Sequence, residues 1–388
     1  MHDETAERVA LLRTASGAAS QVFTTLLTRS PISRIDVAKL TGLSQAAVTK
    51  AVNPLVAAGL VDDRLQAARD GQPGRPASPI AVIPEALLAI GVKVNVDEII
   101  AVATDLRTRV LASERAPLTA RDPGTVVDAV AAICARLETS LGDAAGRLVR
   151  IGVSVSGDVD AAAGVVRESG IMAWTGVDLG DRLRERLDVP VLIENDVRAL
   201  TIGEHWFGVG VGTASFAIVT IGRGIGSGLH VNGEVVEGAF GVAGEIGHLP
   251  LAAPDRICAC GRRGCVEAVA GASAIARAVS EAHGRPVAID EAARLAHEGD
   301  AAATAAFREA AAIIGTAIAS LVNLAGPELV IIGGEGVSNF DLFDASLRAA
   351  FAEHAFGAAG RCRIVVRPHT FEDWARGAAA AAIRVLVR

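Results

Sequence analysis

Between residues 20 and 61 the apolar positions recur every three to four residues, as they do on one face of an amphipathic helix. The pattern predicts three short helices, over 21–30, 33–43 and 44–61. Ser33 and Ser44 stand where helix N-caps are expected, and Gly42 lies in a tight turn between the second and third helices. Two helices joined by such a turn form a helix-turn-helix pattern.

A polar stretch follows the helices, DDRLQAARDGQPGRPASP at 62–79, and it is rich in Gly, Pro and Arg. It predicts a wing and a linker, so that a winged helix-turn-helix domain covers 1–80. Such a domain places its second helix in the major groove of DNA. The predicted DNA-contacting residues are Ser44, Gln45, Thr49, Lys50 and Asn53 on that helix, with Arg75 in the minor groove. The alternative is a small helical interaction domain with Arg75 as a solvated charge.

From residue 87 onward, strand-like and helical segments alternate. Three strand-like segments, a helix and another strand occur between 87 and 156, and the same order recurs between 215 and 366. The repeat predicts a duplicated α/β architecture of two lobes with a cleft between them. The first lobe is expected over 81–200 and the second over 201–388.

The composition is that of a globular protein of two or three domains, since the 388 residues are 51% hydrophobic and 21% charged. The net charge of −7 argues against a nonspecific polyanion binder, although it is compatible with a local basic patch. No signal peptide is expected, because the N-terminus lacks a basic region followed by an apolar one. The apolar run at 311–326 contains Asn323 and favours a core helix over a membrane span. A cytoplasmic, nucleoid-associated protein without a membrane partner is expected.

Three of the five cysteines lie within eight residues, in CACGRRGCVE at 258–267. A disulfide, a redox pair, a nucleic-acid-binding knuckle and a structural metal site are all compatible with the cluster alone. Reduced cytoplasmic thiols favour the metal site. The predicted ligands of one structural Zn²⁺ per chain are His248, Cys258, Cys260 and Cys265, a closed tetrahedral set. The isolated Cys134 and Cys362 are expected to be ordinary core residues.

The segment 220–249 is dense in glycine, with Gly222, Gly224, Gly226 and Gly228 alternating along a predicted hairpin. Glycines at such a place let backbone N–H groups approach a phosphate closely. Tight turns use glycine as well, so this pattern alone is weak evidence for a phosphate site.

The run GAFGVAGEIGHL at 238–249, followed by the cysteine cluster, is similar to the signature of the ROK family of repressors and sugar kinases. The resemblance extends over nearly the whole chain. It implies a winged helix-turn-helix of the family's repressor branch, followed by a two-lobed, actin-like (ribonuclease-H-like) ATPase or sugar-kinase fold over 87–388. It also implies a set of sugar-binding residues: Asn195, Asp196, Glu245, His248 and Glu267. In kinases of the family, Asp196 matches the base that takes the proton from the sugar hydroxyl, whereas Asn195-Asp196 alone is compatible with a helix N-cap.

The sequence departs from the family's kinases at the first phosphate motif, Asp-x-Gly-Gly-Thr. Lys93 replaces the Asp that serves the metal–nucleotide, Asn95 and Val96 replace the two glycines, and Asp97 replaces the Thr. Glu335 follows a glycine pair where a third glycine is common. Loss of a metal-binding Asp lowers phosphoryl transfer by orders of magnitude. No catalytic residue is therefore expected, and Asp196 is at most a residual base.

These features predict a sugar-responsive transcriptional regulator, a repressor, that binds operator DNA and a sugar or sugar phosphate without phosphorylating it. Two alternatives are an active ATP-dependent sugar kinase with an appended DNA-binding domain, and a regulator controlled by a protein partner. Recognition of paired half-sites usually needs two-fold symmetry, so a homodimer or a dimer of dimers is expected. The loops around Gly157 and Trp174 are expected to set the specificity for the sugar.

Overall fold

The computed structural model describes residues 2–65 and 79–387, which divide into two compact units. The first unit is formed by Met1–Val211 with Phe371–Arg388, and the second by Gly212–Thr370. Arg75, the predicted minor-groove contact, lies outside the described residues.

The N-terminal domain begins with four helices: α1 (His2–Arg13), α2 (Gly17–Arg29), α3 (Arg34–Thr41) and α4 (Gln45–Ala57). The side chains of Ser33 and Ser44 cap α3 and α4 by accepting backbone N–H bonds, and Gly42 has a left-handed φ of 70°. The three predicted helices and their caps are confirmed, but the third ends at Ala57 instead of residue 61, and Val61 belongs to a strand. The periodicity did not predict α1, because its first two turns are mostly polar.

Three short strands complete the N-terminal domain: β1 (Ile32–Ser33), β2 (Val61–Asp62) and β3 (Pro79–Val82). The strand β3 lies between the other two and pairs antiparallel with both. Because β2 and β3 stand at the two ends of the polar stretch, the arrangement is typical of a winged helix-turn-helix.

The rest of the first unit contains a five-stranded sheet. Its elements up to residue 211 are β4 (Leu88–Val94), β5 (Glu98–Asp105), β6 (Val110–Pro117), α5 (Pro123–Leu141), β7 (Leu148–Val155), β8 (Asp158–Asp160), β9 (Val165–Ser169), β10 (Trp174–Val177), α6 (Leu179–Arg184), β11 (Val191–Asn195) and α7 (Asp196–Phe207). The sheet order is β11-β7-β4-β5-β6, antiparallel from β4 to β6 and parallel from β4 to β11. The strands β8 to β10 form a separate antiparallel sheet that the sequence patterns did not predict.

The second unit repeats this plan. Its elements are β12 (Phe216–Ile221), β13 (Ile225–Val231), β14 (Glu234–Val235), α8 (Glu267–Ala270), α9 (Ala272–His283), α10 (Ile289–His297), α11 (Ala301–Ala325), β15 (Leu329–Gly333), α12 (Asp341–His354) and β16 (Arg363–Val366). The sheet order β14-β13-β12-β15-β16 again joins an antiparallel meander to two parallel strands. The predicted duplication of the α/β architecture is confirmed.

The last helix, α13 (Phe371–Leu386), lies on the sheet of the first unit. Gly91 and Gly152 pair across β4 and β7, and a Cβ on either would lie about 2 Å from a carbonyl oxygen of α13, at 1.9 and 2.1 Å. Only glycine allows a helix to approach a sheet this closely. The second lobe was predicted to extend over 201–388, whereas α13 belongs to the first unit. The sequence did not reveal this because Gly91 and Gly152, which allow α13 to pack on the sheet, are far from α13 in the chain.

The N-terminal domain shares a hydrophobic core with the first lobe. Phe23, Leu26 and Val48 belong to the same buried cluster as Trp206 of α7 and Ile383 of α13. Two arginines also form hydrogen bonds between the N-terminal domain and the first lobe, to Ala86 and to Ser30. Arg8 donates to the carbonyls of Ala58 and Ala86, and Arg107 donates to the carbonyl of Ser30.

Among the described residues, one helix, α11, is long and apolar enough by composition to cross a membrane. Its most apolar stretch is 61% buried, and Ile314, Ile318 and Leu321 belong to the core of the second unit. The burial agrees with the predicted core helix.

Candidate sugar, metal and nucleic-acid sites

Asn195 is the last residue of β11 and the N-cap of α7. Its Oδ1 accepts the backbone N–H of Arg198 at 3.0 Å, and its Nδ2 donates to the carbonyl of Gly157 at 2.9 Å. Asn195 therefore has the N-cap role that the sequence left open, and it also bonds to Gly157, in one of the loops expected to set sugar specificity. Trp174 is buried, and its indole N–H donates to the carbonyl of Arg121.

Asp196, the first residue of α7, is only 5% exposed, and both of its carboxylate oxygens accept hydrogen bonds. Its Oδ2 accepts bonds from Lys93 Nζ and Ser156 Oγ, and its Oδ1 accepts the backbone N–H of Val197 at 2.9 Å. Burial by itself raises the pKa of Asp196, but the Lys93 charge and the hydrogen bonds outweigh it and hold the pKa below its ordinary value. Asp196 is thus a stabilised carboxylate.

Lys93 lies on β4, is 3% exposed and forms an ion pair with Asp196. Its ammonium also lies 5.2 Å from the ring centroid of Trp374, close enough for a cation–π contact. In the hairpin turn after β4, Asn95 and Val96 are buried. The sequence predicted the replacement of the phosphate motif, but not the direct bond between Lys93 and Asp196.

The glycine-rich turn between β12 and β13 holds two carboxylates of the same chain. The backbone N–H of Arg223 donates to Glu335 Oε1 at 2.7 Å, and that of Ile225 donates to Glu267 Oε2 at 3.0 Å. A Cβ on Gly222 would lie 2.2 Å from Glu335 Cδ, and one on Gly224 would lie 2.4 Å from Glu267 Oε2. The glycines therefore permit close approach of an anion, and the anions in contact are side-chain carboxylates; a phosphate site at this turn stays a prediction.

The four predicted metal ligands converge, with their ligand atoms all within 4.8 Å of one another. Cys258 Sγ lies 3.9 Å from His248 Nδ1, and Cys260 Sγ lies 3.8 Å from Cys265 Sγ. Ligands bound tetrahedrally to zinc at typical bond lengths are separated by about 3.5–3.8 Å. The donor set and the spacing fit a structural zinc ion, and all three cysteines of the cluster are free thiols in the structure.

The backbone of the cysteine segment forms a tight knuckle. The N–H of Cys258 donates to the carbonyl of Arg262, and Gly261 and Gly264 have positive φ values of 81° and 74°. Burial raises the pKa of Cys258 to about 12, so binding of a divalent cation would have to stabilise its thiolate. The isolated Cys134 is buried as expected, and Cys362 is half-buried.

The knuckle also arranges two of the predicted sugar-binding residues. The Nδ1 edge of His248 faces Cys258, whereas its Nε2 lies 3.9 Å from Glu245 Oε2. Cys258 Sγ lies 3.9 Å from Glu267 Oε1. Within the second unit, Glu245 and Glu267 thus lie beside the cluster of possible metal ligands that includes His248. Asn195 and Asp196 belong to the first unit.

The four predicted DNA-contacting residues on α4 and its N-cap Ser44 are all exposed. Gln45, Thr49 and Asn53 follow at intervals of four residues and so share one face, whereas Val48 and Val52 are buried in the core. The exposed face of α4 stays a predicted DNA interface.

Sequence reasoning missed Ser156, Trp374 and the contact made by Glu335. Ser156 directly follows β7, which runs parallel to β11 with Val155 opposite Asn195. The carboxyl ends of neighbouring parallel strands meet, so this position was a candidate partner of Asp196. The glycine pair before Glu335 marked that residue but not its partner, and no local pattern points to Trp374; both reach their partners through the tertiary fold.

Residues 89–385 match the ROK family. The DNA-binding transcriptional dual regulator NagC of Escherichia coli (strain K12) is 31% identical over 314 residues, which cover 79% of this chain and 77% of NagC. A solved ROK family transcriptional regulator, a homologue of the E. coli MLC protein, has a TM-score of 0.80 at 23% identity and covers 100% of this chain and 97% of that one.

A solved ROK family glucokinase from Streptomyces griseus, in complex with glucose and AMPPNP, has a TM-score of 0.66 at 27% identity. The superposition covers 76% of this chain and 99% of the glucokinase. The similarity of the ROK regulator over the full chain and of the glucokinase over three quarters of it confirms the predicted fold class, a helical N-terminal domain followed by the kinase-like fold. Because residues 89–385 match the ROK family, the chain belongs to that family.

Proposed function

We propose that this chain is a sugar-responsive, DNA-binding regulator of transcription that represses genes of carbohydrate metabolism, and that its kinase-like domain binds sugar without phosphorylating it. NagC and the solved ROK regulator are named as transcriptional regulators, whereas the Streptomyces griseus relative is named as a glucokinase. Because the family contains both functions, the choice depends on the residues of this chain.

The observation that carries the proposal is the buried ion pair between Lys93 and Asp196. A general base works best when its pKa is close to the working pH. Asp196 has a lowered pKa, and the oxygen that would accept a proton is already bonded to Lys93 and Ser156. Lys93 also puts a positive charge where, by resemblance, kinases of the family carry an Asp that serves the metal–nucleotide.

The contact between Glu335 and the glycine-rich turn supports the same proposal. Phosphoryl transfer depends on donors and cations that neutralise the phosphate charge. The N–H of Arg223 is already bonded to the Glu335 carboxylate, which would repel an incoming phosphate. Nucleotide binding at this turn would require Glu335 to leave.

The groups proposed to bind the sugar are preserved in chemical type. Carboxylates accept hydrogen bonds from hydroxyls, and Asn195 and His248 offer both donors and acceptors. A zinc ion held by His248, Cys258, Cys260 and Cys265 would supply rigidity and no reactive position, because all four ligands come from the protein. With Nδ1 on the metal side, the Nε2 edge of His248 remains available to a ligand.

The proposed setting follows from the DNA-binding role. The exposed face of α4 is the proposed contact to operator DNA, with Arg75 as a second contact. Operator half-sites are read by a homodimer or a dimer of dimers in the cytoplasm.

A coupled assay with ATP, Mg²⁺ and D-glucose, N-acetyl-D-glucosamine or D-xylose tests the absence of kinase activity, with a ROK glucokinase as positive control. We expect no turnover above background. In parallel, a thermal-shift screen should find at least one of these sugars that raises the Tm, because a ligand that binds the native state stabilises it. Measurable turnover would favour the kinase with an appended DNA-binding domain. Intact DNA binding without a Tm shift for any sugar would favour control by a protein partner.

The DNA-binding half of the proposal is tested with Lys50→Ala. Loss of one exposed cation should weaken DNA binding by about fivefold, uniformly across sequences, and should reduce its dependence on salt. Gel shift measures this effect, while calorimetry should find the affinity for sugar unchanged. Arg75→Ala is expected to behave in the same way.

A further inference from the structure

Two helices of the first unit start at the Lys93–Asp196 ion pair and end in the core of the N-terminal domain. The helix α7 begins at Asp196 itself and ends at Phe207. The helix α13 carries Trp374, whose ring lies 5.2 Å from the Lys93 ammonium, in its first turn. With 12 and 16 residues, the helices extend about 18 Å and about 24 Å at the usual rise of an α-helix.

The far ends of both helices pack with the N-terminal domain. Trp206 of α7 is 5% exposed and makes an edge-to-face contact with Phe207 at 5.9 Å between ring centroids. Both rings, and Ile383 and Leu386 of α13, contribute to the hydrophobic cluster that contains the helices of the N-terminal domain. The helix α2 packs on α7, and α1 packs on α13. A shift of α7 or α13 would therefore change the packing of the N-terminal domain directly.

The two helices cross each other at a pair of glycines. A Cβ on Gly203 would lie 3.2 Å from the Cα of Gly377, and a Cβ on Gly377 would lie 2.7 Å from the carbonyl oxygen of Ala199. Contact at this distance is backbone against backbone, so neither helix can shift without the other.

We propose that α7 and α13 act as one coupled pair that transmits the state of the sugar site to the N-terminal domain, with Gly203, Gly377 and Trp206 as positioning residues. The proposal rests on the proposed function, in which the sugar contacts Asn195 and Asp196. A hydroxyl that bonds to Asp196 changes the bonds of Lys93 and Ser156 to the same carboxylate, and Lys93 also contacts the first turn of α13. The N-terminal ends of both helices are thus affected by a single ligand.

The physical basis is that packed helices move as rigid bodies and their interfaces adopt a few discrete arrangements. A ligand shifts the balance only if it binds the two arrangements with different affinity. The free energy of coupling is then reciprocal, so DNA must change the affinity for sugar by the same factor as sugar changes the affinity for DNA.

The test uses full-length Gly203→Ala, which forces the helices apart by a few tenths of an ångström at the crossing, and Trp206→Leu, which changes the far end of α7. The readout is the ratio of DNA dissociation constants with and without the sugar that gives the largest Tm shift for the wild-type protein. We expect both variants to bind sugar within twofold and DNA without sugar within threefold of wild type. The ratio should fall at least fivefold toward one.

Gly360→Ala is the matched control, because its added Cβ would meet nothing within 4 Å and it lies in the other unit. It should keep the wild-type ratio. Calorimetric titration of sugar with and without DNA must give the same loss of coupling. Wild-type ratios in both Gly203→Ala and Trp206→Leu would overturn the coupling proposal, while the proposed function stands. A wild-type protein whose DNA binding responds to no sugar would overturn both.

Discussion

The two sheets of the duplicated architecture each have a hairpin turn between their first two strands, at 95–97 in the first unit and 222–224 in the second. By resemblance, both turns correspond to phosphate loops of sugar kinases. In the first turn, buried Asn95 and Val96 replace the glycines. In the second turn the glycines remain, but the carboxylate of Glu335 is bonded to the N–H of Arg223.

The two turns differ from a phosphate loop in two different ways. The first turn differs from the phosphate motif in its own side chains, Asn95 and Val96, so the difference is visible in the local sequence. The second turn keeps a sequence suited to anions, and the residue that changes it lies more than a hundred positions away. By resemblance, the residues proposed to bind sugar keep the types found in the family's kinases, whereas the residues of the first turn do not.

The largest expected effect concerns the first turn and its strand. Lys93→Met leaves the Asp196 carboxylate buried without its cation, which should destabilise the fold by about 3–5 kcal/mol at neutral pH. Because the wild-type carboxyl has a lowered pKa, its ion pair stabilises the fold above the unfolded pKa of about 3.9 and the effect is lost as the pH falls through the folded value. Urea denaturation at pH 7 and pH 5 measures the difference, which should shrink in acid as Asp196 of the variant becomes protonated. Lys93→Met with Asp196→Asn should recover most of the loss; no recovery would mean that the ion pair is not its cause.

The next effect concerns the proposed sugar site and the cysteine cluster beside it. Cys260→Ser should abolish zinc binding and weaken sugar binding by about 10- to 100-fold, because the metal would no longer orient His248. Zinc content and calorimetry measure the two quantities on the same sample, and His248→Ala should lose both together. Cys362→Ser, a half-buried cysteine outside the cluster, is the control. A metal-free protein with normal sugar affinity would show that the knuckle does not support the site.

The smallest expected effect concerns the second turn and its affinity for nucleotide. Glu335→Ala removes the carboxylate from the second turn, so the affinity for a fluorescent ATP analogue should rise by about tenfold, which corresponds to about 1.4 kcal/mol. Glu353→Ala, which removes an exposed carboxylate of the same unit, should leave the affinity unchanged. Sugar phosphorylation should stay at background, because the first turn and Lys93 are unaltered. An unchanged nucleotide affinity in Glu335→Ala would mean that Glu335 does not exclude phosphate.

Much of the organisation was accessible from the sequence because it depends on local rules. The caps at Ser33 and Ser44, the left-handed Gly42 and the repeated order of strands and helices follow from short-range preferences, and all are present in the structure. The convergence of His248 and the three cysteines, a cluster that could hold a metal ion, was also predicted, since the cysteines are close in the chain and their spacing suits a tight knuckle.

The assignment of α13 to the second lobe was wrong for a physical reason. Its small residues pack against Gly91 and Gly152, which lie more than two hundred residues earlier, and sequence patterns do not reveal which distant glycines a helix will meet. The short strands β8 to β10 were missed because each spans too few residues for a clear alternation.

The sequence by itself determined the helix-turn-helix, the two α/β repeats and the cluster of His248 with three cysteines that could hold a metal ion, because each depends on residues close in the chain. The departure from the first phosphate motif is a prediction from the resemblance to the family's kinases. Only the tertiary structure decided that Lys93 neutralises Asp196, that Glu335 is bonded to the glycine-rich turn, and that α7 and α13 cross at Gly203 and Gly377. Those contacts join residues far apart in the chain, and their partners depend on how whole sheets and helices pack.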